Sequence, residues 1–183
     1  MTLKTLMHRF VPMRWQRTSK REPLSMVLLL RKPHLFTAAE LRLAAERAWH
    51  RSFDGGAKES MHFVSQAGTV TFMKAGPHFL NFYYYPGPYV EKPTENVDWL
   101  PQPSQRQAWI HHSRCLGVNY LNDGVSVELG YSVLSQLVAE MLDGNCTGIY
   151  IPREQSLIPN DESLYLELHK LGSARESGVN VGT

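Results

Sequence analysis

The sequence predicts an α+β protein with a mixed sheet and two main helices on one face of that sheet. Two segments, 37–53 and 125–142, repeat apolar residues at helical spacing, while shorter segments are continuously apolar or alternate apolar with polar residues. Each long helix lies between two predicted strands. A strand–helix–strand unit at both ends of the domain is typical of a split βαβ arrangement related to the ferredoxin-like fold.

The first predicted strand is the continuous apolar run Met26–Leu30, which is typical of a strand buried on both faces. A capping box follows it, because the Thr37 hydroxyl can accept from the Glu40 amide while the Glu40 carboxylate accepts from the Thr37 amide. The helix that begins there is predicted to run to about Phe53. Residues 54–56 (Asp-Gly-Gly) then end it, since glycine is common just past the last turn of a helix.

The middle of the chain predicts three strands followed by a long loop. The strands lie at 61–66, 69–74 and 78–85, and short glycine-containing turns join them as hairpins. Residues 86–103 contain five prolines, so this proline-rich segment cannot hold a regular strand ladder. We predict an ordered loop here, and loops of that length are often functional or covered by a partner.

The C-terminal half predicts two strands, one long helix and two short helices. The strands lie at 114–121 and 147–151, and the short helices at 104–111 and 162–171. The long helix, 125–142, has an apolar stripe formed by Tyr131, Leu134, Val138 and Met141.

The domain organisation predicted is a basic extension at 1–22, a single domain at 23–172 and a disordered tail at 173–183. The extension carries six basic side chains and one acidic one, whereas the rest of the chain carries 13 basic and 16 acidic ones. The sequence pI of about 8.6 therefore reflects the extension and does not indicate that the domain binds nucleic acid. Three interpretations of the extension stay open: a flexible segment, a targeting peptide, or a basic arm that contacts nucleic acid or anionic lipid.

Composition excludes several classes of protein. Hydrophobic residues make up 43% of the chain and charged residues 20%, and a domain of this length can bury a core without a metal or a disulfide. The longest apolar run, 24–30, is far shorter than the ~20 residues that cross a bilayer. Two cysteines, Cys115 and Cys146, are too few for a secreted disulfide framework. We expect a cytoplasmic protein with free thiols and no membrane span.

Residues with catalytic potential are scattered through the sequence. His111 and His112 are adjacent, so they point to different sides of a strand or helix and cannot easily share a metal ion. No second cluster has zinc-ligand spacing, and serine-hydrolase, P-loop and dinucleotide-binding motifs are absent. We therefore predict no metal, no cofactor and no catalytic residue. The alternative is a small enzyme whose site is assembled from His111, His112, Asp123 and Glu128.

The most unusual segment is the aromatic strand FLNFYYY at 79–85. Alternation places one set of side chains toward the helices and the other set, Phe79, Tyr83 and Tyr85, on the opposite face. That second set needs another cover, for which three interpretations stay open: the proline-rich segment, a dimer or partner interface, or a stacking platform for bases or a small ligand. The candidate binding residues are Phe79, Tyr83, Tyr85, Tyr89, His111 and His112.

A resemblance to a known family covers about residues 25–152. The segments MVLLLRKP, TAAELRLAAERAW, YPGPY, WIHHSRCLGVNY, VLSQLVAEMLDG and GIYIP occur in this order. Together they resemble the bacterial family designated domain of unknown function 4261. That family has no established catalytic residues, so the resemblance implies the fold and assigns no site residue. The basic extension lies outside it.

We predict that the protein is a non-catalytic binding or interaction module that uses the aromatic strand and the proline-rich segment. Its partner would be an unidentified protein or a second copy of the chain. RNA binding through the sheet is disfavoured, because the basic and aromatic pattern of RNA-binding sheets is absent and the domain is net acidic.

Overall fold

The computed structural model describes residues 23–53, 61–68, 70–95, 97–121 and 124–173. The predicted basic extension and residues 174–183 of the predicted tail lie outside these ranges, as do the glycines expected to end the first helix. The described residues form four α-helices and one seven-stranded sheet. The chain is therefore an α+β protein, as the sequence predicts.

The connections between successive elements are short, except for the proline-rich segment between the fourth strand and the second helix. The strands are β1 (Leu24–Leu30), β2 (His62–Ala67), β3 (Val70–Ala75), β4 (His78–Tyr85), β5 (Arg114–Tyr120), β6 (Cys146–Ile151) and β7 (Ser156–Pro159). The helices are α1 (Ala38–Trp49), α2 (Pro103–Ile110), α3 (Val127–Ala139) and α4 (Leu164–Ser173).

The strand order across the sheet is β2-β3-β4-β5-β1-β6-β7, and every neighbouring pair is antiparallel. The predicted mixed sheet is therefore wrong for the described residues. The reason is that β5 lies between β1 and β4, while β1 lies between β5 and β6. The strands that follow each other through a long helix run in the same direction, but three strands separate β1 from β2 and one separates β5 from β6, so they form no parallel ladder.

Strand β7 was not expected from the sequence. After β6 the chain makes a single 3₁₀ turn at Pro152–Glu154, and Gln155 adopts a left-handed conformation with φ 49°. This conformation reverses the chain, so Ser156–Pro159 returns beside β6 as an edge strand. A four-residue strand containing proline carries almost no periodic signal, which is why the pattern did not predict it.

The first core lies on the face of the sheet that carries Met26, Leu28 and Leu30 of β1, here called the first face. These side chains are buried together with aliphatic residues of α1, α3 and α4. Leu41 of α1 and Leu134 of α3, both at most 1% exposed, belong to the predicted apolar stripes. The predicted periodicity of both long helices is thus confirmed in their burial.

The second core lies on the opposite, second face, because Val27 and Leu29 alternate with the residues of the first core. Here the covering residues come from α2 and from the proline-rich segment, which contributes Val90 and Leu100. Helix α2 is tied to the sheet by the buried Thr147 hydroxyl, which donates to the Ala108 carbonyl at 2.8 Å. The loop predicted at 86–103 is therefore part of a core.

The ends of the long helices differ from the prediction. The Thr37–Glu40 capping box is present, with the Glu40 amide 3.2 Å from the Thr37 hydroxyl and the Thr37 amide 2.7 Å from the Glu40 carboxylate. Helix α1 ends at Trp49 and not near Phe53, because His50 turns left-handed at φ 50°. Helix α3 begins at Val127 because the Ser126 hydroxyl accepts from the Leu129 amide at 3.2 Å and caps it.

Candidate interaction surface

The second face of the sheet is divided into a covered part and an open part. The buried residues of the second core come from β1, β5, β6 and β7 on the sheet side, and none comes from β2, β3 or β4 among the described residues. Strands β2–β4 therefore present the open part. The proline-rich segment was one predicted cover for the aromatic residues of β4. Gly87 lies beside the Tyr85 ring, but the buried residues of the segment, Val90 and Leu100, pack over the neighbouring strands.

The open part carries an aromatic patch formed by Phe63, Phe72, Phe79, Tyr83 and Tyr85. The Phe79 ring centroid lies 6.3 Å from that of Phe63 and 6.3 Å from that of Phe72. All three phenylalanines are half-buried, whereas Tyr83 is 40% and Tyr85 37% exposed. Tyrosine suits such a position, because its ring packs on neighbours while its hydroxyl reaches water.

A polar row crosses the sheet beside the aromatic patch. The Ser25 hydroxyl donates to Asn119 Oδ1 at 2.6 Å, and Asn119 Nδ2 donates to Asn81 Oδ1 at 2.9 Å. All three side chains are buried, and they come from β1, β5 and β4. This Ser–Asn–Asn row pairs polar groups that would each be costly if they were buried alone. It also fixes the register of three strands.

Two of the predicted binding residues, Tyr89 and His112, belong to the second core. The Tyr89 ring centroid lies 5.0 Å from that of Tyr150 and 6.0 Å from that of Trp109. The Tyr89 amide donates to His112 Nε2 at 2.9 Å, and His112 Nδ1 contacts the Trp109 carbonyl. Burial lowers the pKa of His112. The imidazole is thus neutral and joins the proline-rich segment to α2 through two main-chain groups.

The catalytic candidates are not brought together. His111 is an exposed C-cap of α2 and precedes β5, while Glu128 lies in the first turn of α3, after β5. The seven residues of β5 therefore separate His111 from Glu128 by roughly 20 Å. Asp123 lies outside the described residues. His112 uses both ring nitrogens on main-chain groups.

One titratable pair forms without any linear signal in the sequence. His78 Nδ1 lies 2.7 Å from the Tyr120 hydroxyl, at the border between β4 and β5. Burial lowers the pKa of His78 and raises that of Tyr120, so this hydrogen bond joins two neutral groups. The two residues are 42 positions apart in the chain, and only the strand register brings them together.

A cleft between α1 and β2 has a volume of about 260 Å³ and is lined by Ala38, Ala39, Arg42, Val64, Ser65 and Gln66. This volume is below the roughly 300–1,000 Å³ of typical small-molecule sites. None of the histidine or carboxylate candidates lines it. The cleft therefore offers no support for the alternative of an enzyme built from those residues.

The two cysteines lie on opposite faces of the sheet. Cys115 belongs to the second core and Cys146 to the first, and burial raises the pKa of each thiol to about 12. Both thiols are free. Thiols of this kind are poor nucleophiles at neutral pH, because the reactive thiolate is scarcely populated.

Within the described ranges, no group of three histidine, cysteine, aspartate or glutamate side chains is placed to hold a metal ion. Among the same residues, no helix combines the length and the apolar character needed to cross a bilayer.

Comparisons with known proteins give no match: no family model, no curated protein and no solved structure is similar to the chain at a significant level. The resemblance to domain of unknown function 4261 therefore stays a prediction from the sequence.

Sequence reasoning missed two of the five aromatic residues of the patch and the whole polar row beside it. Phe63 and Phe72 were assigned to strands, but their neighbours could not be known before the order β2-β3-β4 was established. The Ser–Asn–Asn row was missed because its members are 94 and 38 positions apart. Alternation did identify Phe79, Tyr83 and Tyr85 as one set, and the burial of Leu80 and Phe82 in the first core agrees with that division.

Proposed function

We propose that the protein is a non-catalytic interaction module whose binding surface is the aromatic patch on the open part of the second face. The observation that carries the proposal is the exposure of Tyr83 and Tyr85 beside three clustered phenylalanines. Large aromatic residues are enriched where proteins meet, since they bury much apolar area with little loss of side-chain freedom.

The construction of the patch favours a protein partner over a small ligand. Its rings lie on neighbouring strands held in one register, so they spread across three strands of the sheet. The Ser–Asn–Asn row stiffens the surface from β1 to β4. A preorganised surface loses less entropy when a partner binds, which increases affinity. Nucleic acid is disfavoured as a partner because the described domain is net acidic.

The proposal also includes the topology that the strands of the sheet follow. We infer that β1, β4, β5 and β6 follow a split βαβ arrangement related to the ferredoxin-like fold, with β2 and β3 as an added hairpin at one edge. The order β4-β5-β1-β6 supports this, as does the membership of α1 and α3 in one core. The resemblance to domain of unknown function 4261 and a cytoplasmic location, supported by two free thiols, complete the proposal.

The proposal can be tested by selecting peptides that bind the full chain and then mapping their site. A phage-displayed library of random linear peptides is selected on the wild-type protein, and binding is measured by fluorescence anisotropy. Tyr83→Ser/Tyr85→Ser should weaken the selected peptides at least about tenfold. Tyr165→Ser is the matched control, because Tyr165 is a tyrosine of similar exposure, 46%, on α4.

Two results would separate the outcomes of this experiment. Loss of binding in the double variant, with binding retained in Tyr165→Ser, supports the aromatic patch as the binding surface. Peptides that bind the double variant as tightly as the wild-type protein would place binding elsewhere and contradict the proposal.

A further inference from the structure

The two edges of the sheet differ in how they are protected. Edge strand β7 has four residues and ends in Pro159, and the Gln105 side chain donates to the Leu157 carbonyl at 2.8 Å. Short length, proline and a covered carbonyl are all devices that keep an edge from pairing. Strand β7 is therefore a closed edge.

Edge strand β2 is longer and contains no proline, and a cleft lies between it and α1. Its six residues, HFVSQA, include no charged residue and no proline, and its ladder with β3 has no bulge. Its only described neighbour in the sheet is β3. Uncharged edge strands of this length are templates for pairing with another chain.

The register with β3 shows which main-chain groups of β2 point away from the sheet. The Gly76 amide donates to the Met61 carbonyl at 2.8 Å, and Met61 and Gly76 continue the ladder that pairs His62 with Ala75. Since hydrogen-bonded pairs alternate in an antiparallel ladder, every second residue after Met61 bonds to β3. The amides and carbonyls of Val64 and Gln66 therefore face outward.

We propose that β2 pairs with β2 of a second copy of this chain, antiparallel, about a two-fold axis at Ser65. This register sets Val64 opposite Gln66 of the second copy and forms four main-chain hydrogen bonds from the groups that face outward. On the second face it sets Ser65 opposite Ser65 and Phe63 opposite the small Ala67. No like charges of β2 itself meet across the axis, and paired serine hydroxyls can bond to each other.

The size of this contact sets the strength of the dimer. Six residues on each side are fewer than the 20–30 or so residues per side of a standard stable interface. We therefore expect a reversible dimer with a dissociation constant in about the micromolar range. Pairing also makes the two sheets continuous, so the aromatic patches of both copies lie on one surface.

The experiment measures the solution mass of the full chain by sedimentation equilibrium from about 1 to about 200 µM. The wild-type protein should shift from monomer to dimer across this range. Gln66→Pro removes one outward amide from each copy and places a ring in the pairing edge, so it should raise the dissociation constant at least about tenfold. Gln66→Thr, which keeps the amide and suits a strand, should dimerise like the wild-type protein.

Additional variants keep the test decisive. Ser65→Lys brings two cations together at the axis and should also abolish the dimer, so the proposal can be tested even if the proline variant does not fold. Tyr83→Ser/Tyr85→Ser should leave the dimer intact, because these residues are two strands away from the axis. The same variant shows whether the β2 edge and the aromatic patch act independently, so that one proposal can be wrong while the other holds.

Several outcomes would overturn the proposal. A wild-type protein that is monomeric at the highest concentration would do so, leaving β2 as an edge for an extended segment of another protein. Equal masses for Gln66→Pro and Gln66→Thr would place the contact elsewhere. Loss of the dimer in the tyrosine double variant would assign self-association to the aromatic patch.

Discussion

The two faces of one sheet are built by different means. The core on the first face contains aliphatic side chains of the long helices such as Leu41 and Leu134, whereas the core on the second face contains a short helix, the proline-rich segment and clustered aromatic rings. Strand β1 serves both, with alternate residues in each core. A loop has more main-chain amides and carbonyls that need partners outside the loop than a helix has. The amphipathic rings of tyrosine and tryptophan, and a histidine, can pack beside such groups. The aromatic face is therefore the one that can stay partly open.

The largest effect that would test this comparison is expected from Trp109→Ala on the second face. Trp109 is 2% exposed, and its ring centroid lies 5.2 Å from that of Trp99 and 5.4 Å from that of Tyr150. Loss of this ring should lower the free energy of unfolding by about 3–5 kcal/mol. Urea titration measures the change, and a loss below about 1 kcal/mol would show that the second core is only loosely packed.

Leu134→Ala on the first face comes next. Leu134 is fully buried in α3, so the cavity should cost about 2–5 kcal/mol in denaturant titration. Leu129→Ala, at a 38% exposed position of the same helix, is the matched control. If the two variants unfold alike, the apolar stripe of α3 is wrongly assigned.

Asn119→Ala probes the polar row between the covered and the open parts of the second face. The variant removes the side chain to which both the Asn81 carbonyl oxygen and the Ser25 hydroxyl bond. This loss should lower the free energy of unfolding by about 1–3 kcal/mol. In the Asn119→Ala background, Asn81→Ala should lower the free energy of unfolding by less than it does in the wild-type protein, because the Asn81 amide has already lost its partner. Additive free energies in this double-mutant cycle would contradict a coupled row.

The pH dependence of stability tests the second core through His112. Its pKa is lowered by burial in the folded chain, so the unfolded chain binds more protons as the pH falls below about 6.5. The stability that the neutral ring contributes is present above that pH and is lost as the pH falls toward the folded pKa. The loss is at most about 1.4 kcal/mol per pH unit for one proton.

His112→Gln is the variant for this test, since an amide can accept from the Tyr89 main chain without titrating. Urea titrations between about pH 7 and pH 5 should show a smaller pH dependence for the variant than for the wild-type protein. Equal slopes would mean that other groups account for the acid destabilisation.

The smallest effect is expected from Tyr83→Ser/Tyr85→Ser. Both side chains are more than a third exposed, so their joint replacement should change the free energy of unfolding by less than about 1 kcal/mol. A larger loss in thermal or urea unfolding would mean that these rings are packed beneath a cover, and the open part of the second face would then be wrongly described.

Local sequence patterns predicted the positions of helices and strands better than they predicted which strands lie side by side. The Thr37–Glu40 capping box and the alternation in 78–85 depend on residues close in the chain, and both were predicted correctly. The neighbours of each strand depend on contacts between distant residues, and periodicity carries no information about them. The insertion of β5 between β1 and β4 and the return of β7 were therefore missed.

The candidate surface shows the same limit. Phe79, Tyr83 and Tyr85 were predicted to share a face because they alternate on one strand. Tyr89 and His112 were grouped with them by residue type, yet the proline-rich segment carries Tyr89 over β6, where it packs on Tyr150. Where a loop lies on a sheet is decided by its own packing, which no short motif encodes.

The position of β1 has a consequence for how the chain can fold during its synthesis. This first strand pairs with β5 and β6, whose residues are made about 90 and 120 positions later. The β2–β3–β4 meander is local and can form as soon as it emerges, but the centre of the sheet must wait until Ile151 has left the ribosome. Until the residues of β5 emerge, the apolar run Met26–Leu30 has no described partner strand, so its side chains stay exposed in the nascent chain.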